Sequence, residues 1–177
     1  MKILVVFVLA VLGCCLAEGR LVKKCELRNQ LLKAVGNLTA QAKPNELNKL
    51  VATFVCHAER ASGFNTSKVN EPEMNFQFMK RRNIKNLVPT LVRRSAQDDD
   101  IATLYGIFQL SNRLACSDGM TPSPTICGLD CTELVDDDIR DDISCLLQVF
   151  SSLSIGLVQE ECTKVQPFVY FAKCRKP

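Results

Sequence analysis

Ten cysteines occur in the 177 residues, and where the first two stand decides what the other eight must do. Cys14 and Cys15 fall in a stretch that opens Met1-Lys2, runs apolar from Ile3 to Leu12, and closes on Ala17-Glu18-Gly19. A basic start, a short apolar run and a small-x-small exit describe a secretory signal peptide over residues 1–19, removed to leave Arg20 first. The run is too short to cross a bilayer core of about 30 Å, and no later stretch is a transmembrane candidate. The alternative, a buried N-terminal helix, explains neither the charge nor the exit site. Eight cysteines then remain: Cys25, Cys56, Cys116, Cys127, Cys131, Cys145, Cys162 and Cys174. An even set in a small secreted chain implies a disulfide framework, although eight cysteines allow about 105 pairings and spacing does not choose among them. Zinc would need clustered ligands such as paired C-x-x-C. Only Cys127-x-x-x-Cys131 comes near, and the single histidine, His57, is remote.

The net charge of +3 hides a segregation. Lys80, Arg81, Arg82, Lys85, Arg93 and Arg94 lie between Met74 and Gln97 with no acid among them, so the remainder of the chain is net negative. No nucleic-acid partner is expected, and the chain reads as a monomer.

Hydrophobic spacing gives three helices. Leu27, Leu31, Leu32 and Val35 share one face, with Gly36 as a stop. Pro44 suits a first turn before Leu47, Leu50, Val51, Phe54, Val55 and Ala58, and Gly63 suits the cap that ends this helix. Ile139, Ile143, Leu146, Leu147, Phe150 and Leu153 form the third stripe. Between the second and third, Leu104 to Leu110 favours β structure and Ser117 to Pro124 reads as loop. Helices, a small strand region and a further helix make an α+β plan. His57 is expected on a helix surface.

Residues 71–100 break this rhythm, because Pro89 interrupts an otherwise helical pattern. Phe76, Phe78 and the arginines suggest an arm for anionic surfaces. A surface loop, or read-through of an intron, is the plainer reading and the one preferred.

Asp136, Asp137, Asp138, Asp141 and Asp142 put five carboxylates into seven residues. Such density repels itself unless a hard cation with six to eight oxygen ligands, Ca²⁺, relieves it. It is not an EF-hand, for the glycine and glutamate of that loop are missing. Acids ahead of Ile139 also suit a helix N-terminus, but one or two would serve that purpose.

Several spaced motifs resemble the lysozyme C/α-lactalbumin family. They are Lys24-Cys25-Glu26-Leu27, the run Tyr105-Gly106-Ile107-Phe108-Gln109-Leu110-Ser111-Asn112-Arg113 before Cys116-Ser117-Asp118-Gly119, and the acidic run enclosed by Cys127, Cys131 and Cys145. The resemblance spans about 20–70 and 101–177 and implies one lysozyme-like domain over residues 20–177: a helical lobe, a small β lobe and a cleft between them. Residues 71–100 would be an insertion in it. The pairing it implies is Cys25–Cys174, Cys56–Cys162, Cys116–Cys131 and Cys127–Cys145. It further implies calcium held by the side chains of Asp136, Asp141 and Asp142 and the carbonyls of Glu133 and Asp138.

Retaining glycoside hydrolysis in this family needs a protonated carboxyl and an ionised one about 5–5.5 Å apart. The resemblance puts the donor five residues after the second framework cysteine, at Ala61, and the second carboxylate just before the Tyr-Gly pair, at Leu104. Neither residue can do the chemistry. Glu59 points roughly 200° away around its helix, and Asp100 lies about 13 Å along a strand from Leu104. No tryptophan is present, and Leu114 and Ala115 stand where stacking indoles are usual in the family. The expectation is a secreted calcium-binding protein without muramidase activity that binds a glycan or a protein; a peptidoglycan hydrolase is the alternative. A galactosyltransferase, the lactalbumin partner, would meet Glu59 and Arg60 in place of the family's aromatic and histidine. Asn37 and Asn65 begin N-x-S/T glycosylation acceptors.

Overall fold

The computed structural model describes residues 19–38, 43–70, 102–120, 125–153 and 158–174. Residues 1–18 of the expected signal peptide and the expected basic insertion, with Asp100, lie outside these.

Helix α1 (Lys24–Leu38) buries Leu27, Leu31 and Val35. It runs through Gly36 rather than stopping there. A β-carbon on Gly36 would meet nothing within 4 Å, so glycine costs this helix only about 1 kcal/mol of propensity and does not end it. Helix α2 (Pro44–Ser62) starts on Pro44 and ends where Gly63 turns left-handed at φ 65°. The Gly63 N–H donates to the Glu59 carbonyl at 3.1 Å, satisfying a backbone group that the helix itself leaves open.

Strands β1 (Val69–Asn70), β2 (Leu104–Tyr105) and β3 (Leu110–Ser111) form an antiparallel sheet in chain order. The β-favouring Leu104–Leu110 stretch is thus a hairpin rather than one strand. It turns at Gly106 (φ 73°) and Gln109 (φ 52°). Strands β4 (Cys116–Ser117) and β5 (Leu129–Asp130) pair in parallel, so Ser117 lies in a strand and not in the expected loop. A 3-10 turn at Glu133–Val135 leads into helix α3 (Ile139–Leu153). The chain then closes through a 3-10 turn at Glu160–Lys164 and a short helix α4 (Pro167–Tyr170).

The core gathers one stripe from each long helix. Val51, Phe54, Val55 and Ala58 of α2 meet Leu27 and Leu31 of α1 and Ile143, Leu146 and Val149 of α3. Phe54 stands edge-on to Phe150, with ring centroids 5.1 Å apart, a favourable quadrupole geometry. Ile107, Phe108 and Leu110 carry this core into the β region. Four disulfides join the parts: Cys25–Cys174, Cys56–Cys162, Cys116–Cys131 and Cys127–Cys145, the pairing implied by the family resemblance. Cys56–Cys162 fastens α2 to the C-terminal segment, and Cys127–Cys145 fastens the loop before β5 to α3.

Candidate functional site

The end of α2 and the three-stranded sheet face each other, and β1 connects them. Ala61 sits half-buried in the last turn of α2. The Lys68 ammonium reaches back and donates to the Ala61 carbonyl at 3.1 Å. Two residues on, Asn70 pairs with Leu104, which pairs in turn with Ser111. Directly opposed strand residues share a face. Leu104 therefore lies as an apolar floor between a carboxamide and a hydroxyl, while Ala61 presents a methyl group.

Several hydrogen bonds fix this arrangement. Gln109 Nε2 donates to the carbonyls of Lys68 and Gly106, both at 2.8 Å, and its Oε1 accepts from Asn70 Nδ2 at 2.7 Å. Ser62 Oγ is 2.7 Å from the Ile107 carbonyl and 2.9 Å from that of Ala58. His57 is buried, with Nε2 3.0 Å from the Phe108 carbonyl, which corrects the expectation of a surface histidine. Its ring packs beneath the β2–β3 turn because the hydrophobic face of α2 extends one position further round than apolar spacing alone shows. Burial lowers its pKa, outweighing the carbonyl's opposite effect. The imidazole is thus held neutral, with Nε2–H as the donor. His57, Ser62, Lys68 and Gln109 were not singled out from sequence as site residues. Lys68 and Asn70 do alternate at strand period, a signal that places both on one face.

Glu59 cannot stand in for the missing acid. It is turned to the other side of α2, where Tyr170 Oη donates to it and Lys24 Nζ lies 2.9 Å away. Burial pushes its carboxyl up, but these two hydrogen bonds prevail and hold it below the ordinary value. Arg60 is engaged with Glu161. Of the positions that carry indoles in the family, Ala115 is buried and Leu114 half-buried.

The acidic loop lies behind the sheet. Asp142 is fully buried, and neither carboxylate oxygen has a hydrogen-bond partner among the described residues. Burial, then the charges of Asp141 and Asp136, push its pKa up to about 8. Asp141 is raised as well, chiefly by burial. Asp136 Oδ1 accepts from the Asp138 N–H at 2.7 Å. The Asp138 side chain is turned outward to Arg140, whose hydrogen bonds bring it down to about 2. Glu133 Oε2 accepts from the Asp130 N–H at 3.1 Å. Among the described residues no three His, Cys, Asp or Glu side chains gather into a metal-sized cluster. The donor chemistry nevertheless fits a hard divalent cation. Two orphaned buried oxygens of Asp142 lie beside further carboxylates, and the side chains of Glu133 and Asp138, the residues whose carbonyls are the implied ligands, are turned to other partners.

Asn37 falls in the last turn of α1. Asn65 Oδ1 accepts from both the N–H and the hydroxyl of Ser67, each at 3.0 Å.

A family model described as "C-type lysozyme/alpha-lactalbumin family" matches residues 89–164. The sperm acrosome-associated protein 5 of Bos taurus is 30% identical over 137 residues, 77% of this chain and 67% of its own. The chain belongs to the C-type lysozyme/alpha-lactalbumin family. Within that family, the alpha-lactalbumin of Sus scrofa is 39% identical over 57 residues, 32% of this chain and 40% of its own. Among solved structures, the lysozyme of Equus asinus superposes with a TM-score of 0.56 at 26% identity, covering 89% of this chain and all of that one. The lysozyme-like fold is thus established, with its helices, small sheet and four disulfides.

Proposed function

We propose that this member of the family is a secreted, calcium-stabilised protein that uses the cleft to bind a glycan and does not cut it. Residues 1–19 would be the signal, and the mature domain would run from residue 20, with 71–100 as its insertion. The observation that carries the reading is the pair Ala61 and Leu104. A methyl and an isobutyl group supply neither the protonated donor nor the ionised partner that glycoside hydrolysis requires. What surrounds them can still hydrogen-bond sugar hydroxyls, since Asn70 and Ser111 share one face of β1–β3 with Leu104 and the Lys68 ammonium lies at Ala61.

Calcium would be held by Asp136, Asp141 and Asp142 and by the carbonyls of Glu133 and Asp138. Its contribution is charge: it relieves the buried Asp142 carboxylate and the repulsion around it. Relatives named for the sperm acrosome fit delivery through the secretory route. A galactosyltransferase-like partner is the weaker reading, because Glu59 and Arg60 occupy the docking positions and are tied into ion pairs. Asn37 and Asn65 are proposed glycan attachment points.

One calcium-loaded sample tests these alternatives together. Bacterial-wall turbidity is expected to stay constant and lactose synthesis by a galactosyltransferase to stay at its basal rate, while cleft resonances shift with an oligosaccharide. Clearing of the suspension would restore the hydrolase reading.

A further inference from the structure

We infer that the cleft selects an anionic saccharide, with a carboxylate or sulfate seated on the Lys68 ammonium beside Ala61. This rests on the cleft being a binding site, as proposed above, and it names the class of ligand.

The inference follows from where charge has gone. A hydrolysing cleft of this family is expected to hold two acids; here both implied positions are apolar and a cation stands at the first of them, Ala61. Lys68 Nζ is 3.1 Å from the carbonyl of Ala61, and the lysine immediately precedes β1, two residues before Asn70, the strand partner of Leu104. An ammonium has three N–H donors. One is used on Ala61, and among the described residues no carboxylate meets the others. Several described acids are engaged with other partners: Glu59 with Lys24 and Tyr170, Glu161 with Arg60, and Asp118 with the Asn112 carboxamide at 2.7 Å. The lysine is half-buried, so solvent and salt screen it less than an exposed charge.

A structural role for Lys68 is also on view, since the Ala61 carbonyl is one of the four that α2 leaves open at its C-terminus. A neutral donor can make that hydrogen bond too, although the helix dipole favours a cation there by about 0.3–1 kcal/mol. The structural role thus predicts a stability difference on removing the charge, whereas an anionic ligand adds a difference in binding, and binding is what the experiment must isolate.

The calcium-loaded full chain is titrated with three hexasaccharides: chitohexaose, which is neutral; a hyaluronan hexasaccharide, which carries carboxylates; and a heparin hexasaccharide, which also carries sulfates. At least one acidic sugar should bind ten times more tightly than chitohexaose, and which one does so separates carboxylate from sulfate. Lys68→Gln, which keeps a donor for the Ala61 carbonyl, should abolish the preference, and Lys68→Arg should retain it. Chitohexaose binding as tightly as the acidic sugars, or a preference that survives Lys68→Gln, overturns the inference and leaves the cleft a binding site. If no saccharide moves cleft resonances, the proposed function fails with it.

Discussion

A methyl group added to Gly106 would lie 2.8 Å from Asp142 Oδ1 and 2.0 Å from the carbonyl oxygen of Leu134, so the turn after β2 is seated directly on the acidic loop. Gly106 also holds φ at 73° and donates its N–H to the Lys68 carbonyl at 2.9 Å. One residue thus links the cleft strand to the carboxylates behind it. Gly106→Ala should cost about 2–3 kcal/mol in urea unfolding, from left-handed strain together with the collision. A loss under 0.5 kcal/mol would show that the two parts are not so closely seated.

Asp142 carries the strongest sign that the loop wants a cation. Calcium at one hundred times its dissociation constant should stabilise the fold by about 2.7 kcal/mol, read as a rise in Tm over a chelator-treated sample. Asp142→Asn should remove most of that rise. In chelator the variant should melt no lower than the parent, because it no longer buries a carboxyl that burial and its acidic neighbours disfavour in the ionised form. Equal calcium shifts in both proteins would rule out Asp142 as a ligand.

The buried His57 makes the fold acid-sensitive. Its folded pKa lies below the ordinary value of 6.5, so the unfolded chain binds the extra proton. Its contribution is complete above about 6.5 and is lost as pH falls through the folded value, with a slope of at most about 1.4 kcal/mol per pH unit. The depressed carboxyls of Glu26 and Glu59 add their own loss only below their ordinary value of 4.5. Asp141 and Asp142 are raised toward the same window, so the difference between the parent and His57→Gln, both calcium-saturated and melted between pH 7.5 and 5, isolates the histidine, and the parent should lose more stability as pH falls.

Restoring the acids should not by itself restore hydrolysis. A carboxyl introduced by Ala61→Glu would sit beside the Lys68 ammonium, which favours the ionised form and spoils a proton donor. Ala61→Glu with Leu104→Asp should therefore stay at background on chitohexaose. Adding Lys68→Ala should raise cleavage at least tenfold, within the range that a general acid contributes. An active double variant would refute the influence given to Lys68.

Much of the fold was legible because it rests on periodic burial. The α2 stripe from Leu47 to Ala58 and the α3 stripe from Ile139 to Phe150 are repeats of period 3.6, and Pro44 and Gly63 mark the ends of α2 by backbone chemistry. Gly36 misled, since a glycine inside a well-packed helix gives up propensity without ending it. The β2–β3 hairpin was hidden because it is only two residues wide on each side, and its turn depends on left-handed backbone at Gly106 and Gln109. The expectation that Ala61 and Leu104 occupy the family's catalytic positions comes from the family resemblance, counted from Cys56 and from Tyr105. His57 and Lys68 were not legible, because each takes its role from a partner distant in the chain: the Phe108 carbonyl for one, and a contact made only after α2 has ended and β1 has turned back for the other.

The most direct test incubates the calcium-loaded protein with an equimolar amount of chitohexaose for a day and follows the oligosaccharide by mass spectrometry. At such enzyme concentration even a greatly weakened hydrolase leaves shorter products. The hexamer is expected to remain intact from pH 4 to 8, as it would with no protein added. Accumulation of di- and tetrasaccharide, dependent on the folded chain, would contradict the account.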